Sequence, residues 1–252
     1  MDTSRFVAVA AGYDHSLALK SDGTITCWGS DGYGQATSPD GNDYVSVAAG
    51  GFHSLALRAD GTIIGWGLDK YGQASPPHDN GYIAVAAGGY FGLALRADGT
   101  IVGWGANKHG EASPPDGNDF LAIAAGVFHG VALRTDGTLT AWGRGDSGQV
   151  SCPDGNDFVA IAAGGFHSLA LKADGAVVGW GRNDYGQASP PADGNIFTAI
   201  AAGYWHSLGL RADGTIVAWG NKKYGQAGSP QGGHFVAIAA GGRHSLALKV
   251  DP

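Results

Sequence analysis

Histidine, a residue type that can act in acid–base catalysis or bind a metal, recurs regularly along the chain. Six of the nine histidines hold the same position in a recurring motif: His15, His53, His129, His167, His206 and His244. Phe91 holds that position in the remaining copy. A catalytic or metal site needs different groups that converge on one point, and equivalent positions around a repeat lie too far apart for that. We therefore predict buried imidazoles that bond to a neighbouring strand or turn, with no catalytic residue and no metal site.

Other motifs with chemical potential are explained more simply as turns. The sequence Asp-Gly-Asn-Asp at 40–43, 116–119 and 154–157 lacks the ligand spacing and the closing glutamate of a calcium loop. No Ser-His-Asp or Cys-His arrangement stands out, and Cys27 and Cys152 are expected to be separate buried thiols. We therefore expect a protein that is not an enzyme and that holds no cofactor.

A repeat along the chain positions these motifs. Near copies of one segment begin at residues 6, 44, 82, 120, 158, 197 and 235. Six units are complete, and the seventh stops at Pro252 after 18 residues. Because no linker separates the units, we predict a single domain over residues 6–252.

Each complete unit is predicted to contain four strands, A to D. In the fifth copy they cover residues 158–163, 167–172, 177–180 and 187–189. An Asp-Gly pair in every complete unit supplies the positive φ of a tight hairpin between strands B and C. The 45 glycines suit turns and disfavour helices. Antiparallel units of this size predict an all-β fold, a β-propeller with four-stranded blades.

Three motifs recur in register from residue 6 onwards: AAGxxHSLAL, DGTIxxWG and YGQAxxPP. They resemble the repeat of the regulator-of-chromosome-condensation family. The spacing and residue pattern look closest to a bacterial branch that includes a secreted propeller inhibitor of β-lactamases. The resemblance implies a seven-bladed propeller.

The number of units leaves one blade incomplete. Seven A–B pairs but only six C–D pairs are present, since no DGTIxxWG motif follows Lys249. We predict seven blades with one incomplete; six blades with a spare A–B pair is the alternative. An unpaired strand edge is a known association site, so this blade is a candidate for binding another molecule, including a second copy of the chain.

The strand order assigns every loop to one side of the ring. The A–B and C–D loops lie on one side, the aromatic face; the Asp-Gly turns and the D–A connections lie on the other, the acidic face. Nearly all of the formal net charge of −7 falls on the acidic face. We therefore expect no nucleic-acid partner.

The sequence contains no stretch of about 20 apolar residues, so no membrane-spanning helix is predicted. No signal peptide follows Met1, which is compatible with a cytoplasmic chain or with a secreted one whose signal has been removed.

The aromatic face is predicted to bind a protein, because aromatic and arginine side chains dominate binding hot spots. The residue before each repeat histidine position lies at an A–B tip and varies between copies: Asp14, Phe52, Tyr90, Phe128, Phe166, Trp205 and Arg243. The C–D loops add Tyr33, Tyr71, His109, Tyr185 and Tyr224. For these tyrosines, packing between blades is the alternative. The resemblance implies target contacts for the aromatic tips, and Asp14 and Arg243 depart from that pattern.

A non-enzymatic protein-binding propeller is the function that these residues favour, and the resemblance extends it to an enzyme inhibitor. Two alternatives stay open: a guanine-nucleotide exchange factor for a small GTPase, on family analogy, and a structural module of a longer repeat array. A carbohydrate ligand is a further alternative, because aromatic rings also stack on sugars.

Overall fold

Every unit of the repeat folds as an antiparallel sheet. The computed structural model describes residues 5–192, 194 and 196–250, and these contain strands and turns but no helix. The first strands of the sheets are β1 (Phe6–Ala11), β4 (Tyr44–Ala49), β7 (Tyr82–Ala87), β10 (Phe120–Ala125), β13 (Phe158–Ala163), β16 (Phe197–Ala202) and β19 (Phe235–Ala240). The second strands are β2 (His15–Lys20), β5 (His53–Arg58), β8 (Phe91–Arg96), β11 (His129–Arg134), β14 (His167–Lys172), β17 (His206–Arg211) and β20 (Ser245–Lys249). The third strands are β3 (Ile25–Gly29), β6 (Ile63–Gly67), β9 (Ile101–Gly105), β12 (Leu139–Gly143), β15 (Val177–Gly181) and β18 (Ile216–Gly220).

Strands pair in chain order within each sheet. Six sheets have three strands, and β19 pairs with β20 alone in the part of the chain that the structure describes. Each first strand carries a register shift directly after its first residue, as between Phe158 and Ala160. A bulge of this kind bends the strand and turns the side chain at the shift away from its expected side.

The predicted fourth strand is wrong. Around residues 187–189 the chain forms a turn, and no fourth strand joins any of the sheets of the described residues. Side chains satisfy the backbone here: Ala188 N–H donates to Asn183 Oδ1 at 2.9 Å, and Tyr185 N–H donates to Gln187 Oε1 at 2.9 Å. Such local bonds compete with strand pairing, so each complete blade has three strands.

The sheets are arranged around an axis. The second strand of each sheet contacts the first strand of the next, and β20 contacts β1 in the same way, so the ring closes. Backbone bonds join neighbouring units near the axis, from Gly51 N–H to Gly88 O at 3.1 Å and from Gly242 N–H to Gly12 O at 2.9 Å. Glycine is required by this approach, because a Cβ on Gly50 would lie 2.5 Å from Gly88 O. The all-β propeller is confirmed.

Imidazoles link five of the seven units to the next, and four of these five are buried while His244 is half-buried. His129 Nε2 and Ser168 Oγ are 2.9 Å apart, and the same 2.9 Å bond joins His15 to Ser54, His167 to Ser207, His206 to Ser245, and His244 to Ser16. The prediction of hydrogen-bonded histidines is confirmed for these five. Burial lowers the pKa of His129 to about 4. At this pKa the imidazole is neutral at physiological pH.

Two units depart from this arrangement together. His53 Nε2 is buried with no hydrogen-bond partner, because Gly92 occupies the position of the serine. In the next unit Phe91 replaces the histidine, and Gly130 again replaces the serine. A phenyl ring has no donor or acceptor to satisfy, so the missing serine leaves nothing unpaired there.

Tryptophan completes the contact between units. Trp180 packs on a cluster formed by Leu133, Phe158 and Ala170. Its Nε1 donates to the carbonyl oxygen of Gln149, in the preceding unit, at 2.9 Å. Equivalent bonds from four other repeat tryptophans hold complete sheets side by side: Trp66, Trp104, Trp142 and Trp219. No helix of the described residues is long and apolar enough to cross a membrane.

Candidate protein-binding face

The loops between first and second strands bring the predicted aromatic residues together. Their rings form two groups of tilted contacts: Phe52–Tyr90 at 5.7 Å between ring centroids, and Phe166 with Phe128 at 6.0 Å and with Trp205 at 5.8 Å. All five rings are half-buried. Asp14 and Arg243 are exposed at the two remaining tips. Ring pairs at these separations are favourable in any of these tilts.

The tyrosines of the C–D loops form an outer row around these rings. Tyr71 meets Tyr90 edge-on at 5.8 Å, and Tyr185 meets Trp205 edge-on at 5.6 Å. Tyr71, Tyr185 and Tyr224 nevertheless keep 50%, 53% and 53% of their surface exposed. Tyr71 and Tyr185 therefore each support a ring of the next unit and Tyr224 lies against Arg243, while all three present half of their surface to solvent.

Two further tyrosines lie at the centre of the face and were missed by the sequence reasoning. The centroids of the Tyr13 and Tyr204 rings are 5.2 Å apart, and Tyr204 also contacts Trp205 at 4.7 Å. Burial, and then the neighbouring Tyr204, raise the pKa of Tyr13 far above its usual value. Four of the seven units carry glycine here, as at Gly51, and one carries Val127, so the two tyrosines at this position were the available sign.

Basic side chains lie over the rings of this face. The Arg182 guanidinium is 4.7 Å from the Trp205 centroid, and that of Arg144 is 5.4 Å from the Phe166 centroid. Arg243 lies 4.9 Å from the Tyr224 ring. Arg144 also pairs with Asp146 at 2.6 Å. These cation–π contacts place charge at ring surfaces without giving the face a large net charge.

The acidic face has a different construction, with side chains that bond to their own turns. Asp136 Oδ1 accepts from Thr138 N–H at 2.9 Å and from Thr138 Oγ1 at 2.7 Å. These bonds lower the pKa of Asp136. Basic residues at the ends of second strands pair with the aspartates before first strands, as Arg134 does with Asp119 at 2.6 Å. Most of the charge on this face is therefore engaged locally.

An apolar row was also missed on the acidic face. The second residue of most first strands is more than half exposed: Val7, Val45, Ile83, Leu121, Val159 and Val236. Alternation along the strand predicts these side chains to be packed. The register shift after the first strand residue exposes them instead.

Metal and thiol chemistry finds no support in the geometry. Among the described residues no three His, Cys, Asp or Glu side chains are grouped so that they could hold a metal ion. Cys27 and Cys152 are free, so the prediction of separate thiols is confirmed, but both are half-buried where burial was predicted. Burial raises the pKa of Cys152 to about 11, so its thiol is protonated at neutral pH.

The fold defines a repeat propeller, and comparison with known proteins gives its family. The model described as "Regulator of chromosome condensation (RCC1) repeat" matches residues 6–35, 44–73, 82–111, 120–149, 158–187 and 197–226. These segments cover more than half of the chain, which therefore belongs to this family. No curated protein sequence matches the chain.

Solved structures with this fold cover nearly the whole chain. Yeast RCC1 (Prp20), in a crystal structure bound to Kap60, is 21% identical with a TM-score of 0.83, over 98% of this chain and 81% of that one. A second structure of Prp20p, from Saccharomyces cerevisiae, is 20% identical with a TM-score of 0.83, over 98% and 83%. Human WBSCR16 is 18% identical with a TM-score of 0.86, over 100% and 89%. At these identities the likeness shows the fold.

Proposed function

We propose that this chain is a non-enzymatic propeller that binds a protein through its aromatic face. The observation that carries the proposal is a pair of contacting ring groups, Phe52–Tyr90 and Phe128–Phe166–Trp205, which the tyrosine pair at the centre joins. Rings already ordered by their neighbours lose little side-chain entropy when a partner covers them. The surface is therefore pre-organised for binding.

The chemistry of the face favours a protein over a nucleic acid. Tyrosine, tryptophan and arginine are the residue types enriched in binding hot spots, and all three occur here in mutual contact. The net charge of the chain is −7, and the basic residues of this face are stacked on rings or paired with carboxylates. A phosphate backbone would find few free cations.

A pair of double variants tests the face assignment. Phe166→Ala with Trp205→Ala removes two contacting rings from the aromatic face. Ile83→Ala with Leu121→Ala is the matched control, because it removes two exposed apolar side chains from the acidic face. Biolayer interferometry against panels of purified β-lactamases and small GTPases then measures binding. We expect the first variant to lose at least about 30-fold in affinity for whichever partner binds, and the control to lose little. The reverse result would assign binding to the acidic face.

The more specific form of the proposal is inhibition of an enzyme, as in the β-lactamase-inhibitor branch. It rests on the resemblance of the repeat motifs and on the aromatic tips. Hydrolysis of a chromogenic β-lactam by a panel of β-lactamases, with and without this protein, tests it. Unchanged hydrolysis by every enzyme of the panel would contradict the inhibitor proposal, but it would not contradict protein binding by the aromatic face.

Guanine-nucleotide exchange is the second candidate, and it is favoured by the family. Prp20p, which shares the fold, is described by its binding to Gsp1p and histones. A binding propeller could act here by holding a small GTPase in its nucleotide-free form. Release of a fluorescent GDP analogue from a panel of small GTPases measures this directly. Accelerated release that the Phe166→Ala/Trp205→Ala variant abolishes would select exchange over inhibition.

We also propose that the ring is counted as seven blades, of which the last is incomplete. The support is that the two-stranded sheet β19–β20 lies between β17 and β1 with the same strand contacts as the complete sheets. The six-bladed description counts this sheet as a spare pair. The third candidate function, a module of a longer array, predicts that further repeat units flank this segment in its gene.

A further inference from the structure

The apolar row of the acidic face follows the ring of first strands around the axis. Its six side chains are between 52% and 59% exposed. First strands of neighbouring units contact one another, and β19 contacts β1, so the row is closed. It is interrupted in the sixth unit, where Thr198 holds the position. Single exposed aliphatic side chains are ordinary on a protein surface, whereas an apolar patch with a polar border marks an interaction site.

This exposure is a property of complete units. Val45, Ile83, Leu121 and Val159 belong to units that have a complete unit on either side. In each of these units the register shift leaves the residue without a partner on the second strand. A bulge at the same residue of every unit therefore presents one aliphatic side chain per unit in a fixed direction.

A turn with a carboxylate lies beside each of these side chains. Phe120 N–H donates to Gly99 O at 3.2 Å. The next residue, Leu121, therefore lies beside the turn of the preceding unit that carries Asp98. Equivalent bonds join other units, from Tyr44 to Gly23, from Tyr82 to Gly61, from Phe158 to Gly137 and from Phe235 to Gly214. Aliphatic side chains and carboxylates thus recur together around the ring.

The turn carboxylates are charged and open to a cation. Asp98 Oδ1 accepts from Thr100 N–H at 3.0 Å and from Thr100 Oγ1 at 2.7 Å. These bonds lower the pKa of Asp98, so its carboxylate is ionised at neutral pH. The residue is exposed and both bonds go to Oδ1, so Oδ2 can meet an incoming cation. The same pair of bonds occurs at three other exposed aspartates: Asp60, Asp136 and Asp213.

The basic residues of this face are engaged with other carboxylates. Arg134 pairs with Asp119 at 2.6 Å, and its guanidinium lies 4.5 Å from the centroid of the Phe120 ring. Lys172 pairs in the same way with Asp157 at 3.1 Å. These cations compensate the aspartates that precede the first strands. The turn carboxylates are therefore the source of the net negative charge beside the apolar row.

We propose that the acidic face is a second docking surface, which binds a basic amphipathic helix of a protein. The apolar stripe of the helix covers the apolar row, and lysine or arginine on its flanks pairs with the turn carboxylates. An apolar centre with a border of one charge selects a partner that has apolar anchors and the opposite charge. This surface lies on the side of the ring opposite the aromatic face.

A second copy of the chain does not have the required chemistry. Its acidic face has the same sign of charge, and two such faces repel each other. On its aromatic face, Arg144 and Arg182 stack on rings and pair with Asp146 and Asp184. An anionic lipid surface is repelled by the acidic face for the same reason.

The probe is the synthetic peptide LKKLLKLLKKLLKL, whose leucines form one stripe of a helix between lysines. Fluorescence anisotropy of the labelled peptide measures its binding to the whole chain at several salt concentrations. We expect saturable binding that weakens as salt rises. A peptide with glutamate in place of lysine should not bind, and neither should one with serine in place of leucine. Equal binding of the serine peptide, or no binding of the leucine–lysine peptide, would overturn the proposal.

A charge variant of the protein tests the carboxylates. Asp60→Asn with Asp98→Asn and Asp136→Asn removes three charges, and the amide oxygen can still accept the bonds from threonine. We expect affinity for the leucine–lysine peptide to fall roughly five- to tenfold. Circular dichroism verifies that the variant is folded. Unchanged affinity would contradict the role of the turn carboxylates.

A second pair of variants locates the binding. Ile83→Ala/Leu121→Ala removes two side chains of the apolar row, and we expect a loss of at least about tenfold in affinity for the peptide. Phe166→Ala/Trp205→Ala should bind the peptide like the unaltered protein, because those rings lie on the aromatic face. The reverse pattern would contradict the proposed surface. A dimer in sedimentation that Ile83→Ala/Leu121→Ala dissociates would assign the apolar row to self-association instead.

Discussion

The two faces of the ring differ in how much their loops vary from one repeat unit to the next. On the acidic face, the same Asp-Gly-Thr turn recurs in most units, and its carboxylate accepts hydrogen bonds from the backbone N–H and the hydroxyl of the threonine two residues further on. On the aromatic face, the tip residue changes from unit to unit, from Asp14 through five aromatic rings to Arg243. Where hydrogen bonds within the turn stabilise it, the residue types at the bonded positions vary little between units. Where the loop is supported by neighbouring rings, the tip is free to vary.

The largest expected effect comes from a glycine of the acidic face. Gly137 has a φ of +82°, and a Cβ there would lie 2.1 Å from Asn156 O. We expect Gly137→Ala to lower the free energy of unfolding by about 3 kcal/mol or more, through left-handed strain and overpacking together. Urea denaturation measures it.

The matched variant lies in a loop of the aromatic face. Gly148 has a φ of +78°, but nothing lies closer to its added Cβ than 3.9 Å. Gly148→Ala should therefore cost only the strain, about 1 kcal/mol. Equal losses for the two variants would show that crowding does not distinguish the faces.

Acid should weaken the buried contacts between units and the turns of the acidic face in separate pH ranges. Burial lowers the pKa of His129 to about 4 and that of His167 to about 3, from 6.5. The unfolded chain then binds protons that the folded chain does not, so stability falls as pH drops from 6.5 towards 4, by up to about 1.4 kcal/mol per pH unit for each such histidine. The turn aspartates have lowered pKa values, so their contribution is lost only below 3.8. Urea denaturation at a series of pH values separates the ranges.

One double variant checks the origin of the first range. His129→Phe with Ser168→Gly copies the pair that Phe91 and Gly130 form in another unit. We expect a smaller loss of stability between pH 6.5 and 4 than in the unaltered protein. An unchanged pH dependence would assign the acid sensitivity elsewhere.

A smaller effect is expected where only one hydrogen bond is removed from the interior. Ser168→Ala leaves His129 Nε2 buried without a partner, the situation that His53 already has beside Gly92. Removing one partner of a buried pair costs about 1–3 kcal/mol, and the natural tolerance at His53 places this case near the lower end. Thermal unfolding monitored by circular dichroism measures the loss. A loss as large as that for Gly137→Ala would contradict this view of the serine.

The smallest effect is expected on the exposed side of the acidic face. Asp136→Ala removes two hydrogen bonds from a solvent-exposed turn. We expect a loss of stability below that of Gly148→Ala and no change in binding to a partner of the aromatic face. Calorimetric unfolding and interferometry measure the two quantities. A loss of partner binding would mean that the acidic face also contributes.

Most of the fold could be predicted from the repeat, because every unit carries the same pattern of strand and turn residues. Alternating strands, Asp-Gly hairpins and unit boundaries all followed from it. The fourth strand could not be predicted, because side-chain bonds from Asn183 and Gln187 take over the backbone groups that a strand would need. The exposed row that includes Val159 was hidden for a similar reason, since a register shift is invisible to an alternating pattern.

The candidate site was predicted in outline but not at its centre. The aromatic tips from Phe52 to Trp205 stood out because they vary within an otherwise uniform repeat. Tyr13 and Tyr204 stand nearly 200 residues apart in sequence, and their contact at 5.2 Å depends on how the ring closes. Closure joins units that no local pattern relates, so this pair required the structure.

Closure also sets an order of events in folding. The bond between Ser16 and His244 spans 228 residues, whereas its counterparts in the other units span 39 or 40. A contact between adjacent units costs only the entropy of closing a short loop. The Ser16–His244 contact costs more, because it requires both ends of the chain to meet. We expect the seam between β20 and β1 to form last and to open first. A chain permuted to begin at another unit would move that slow step to a new place in the ring without changing a single contact.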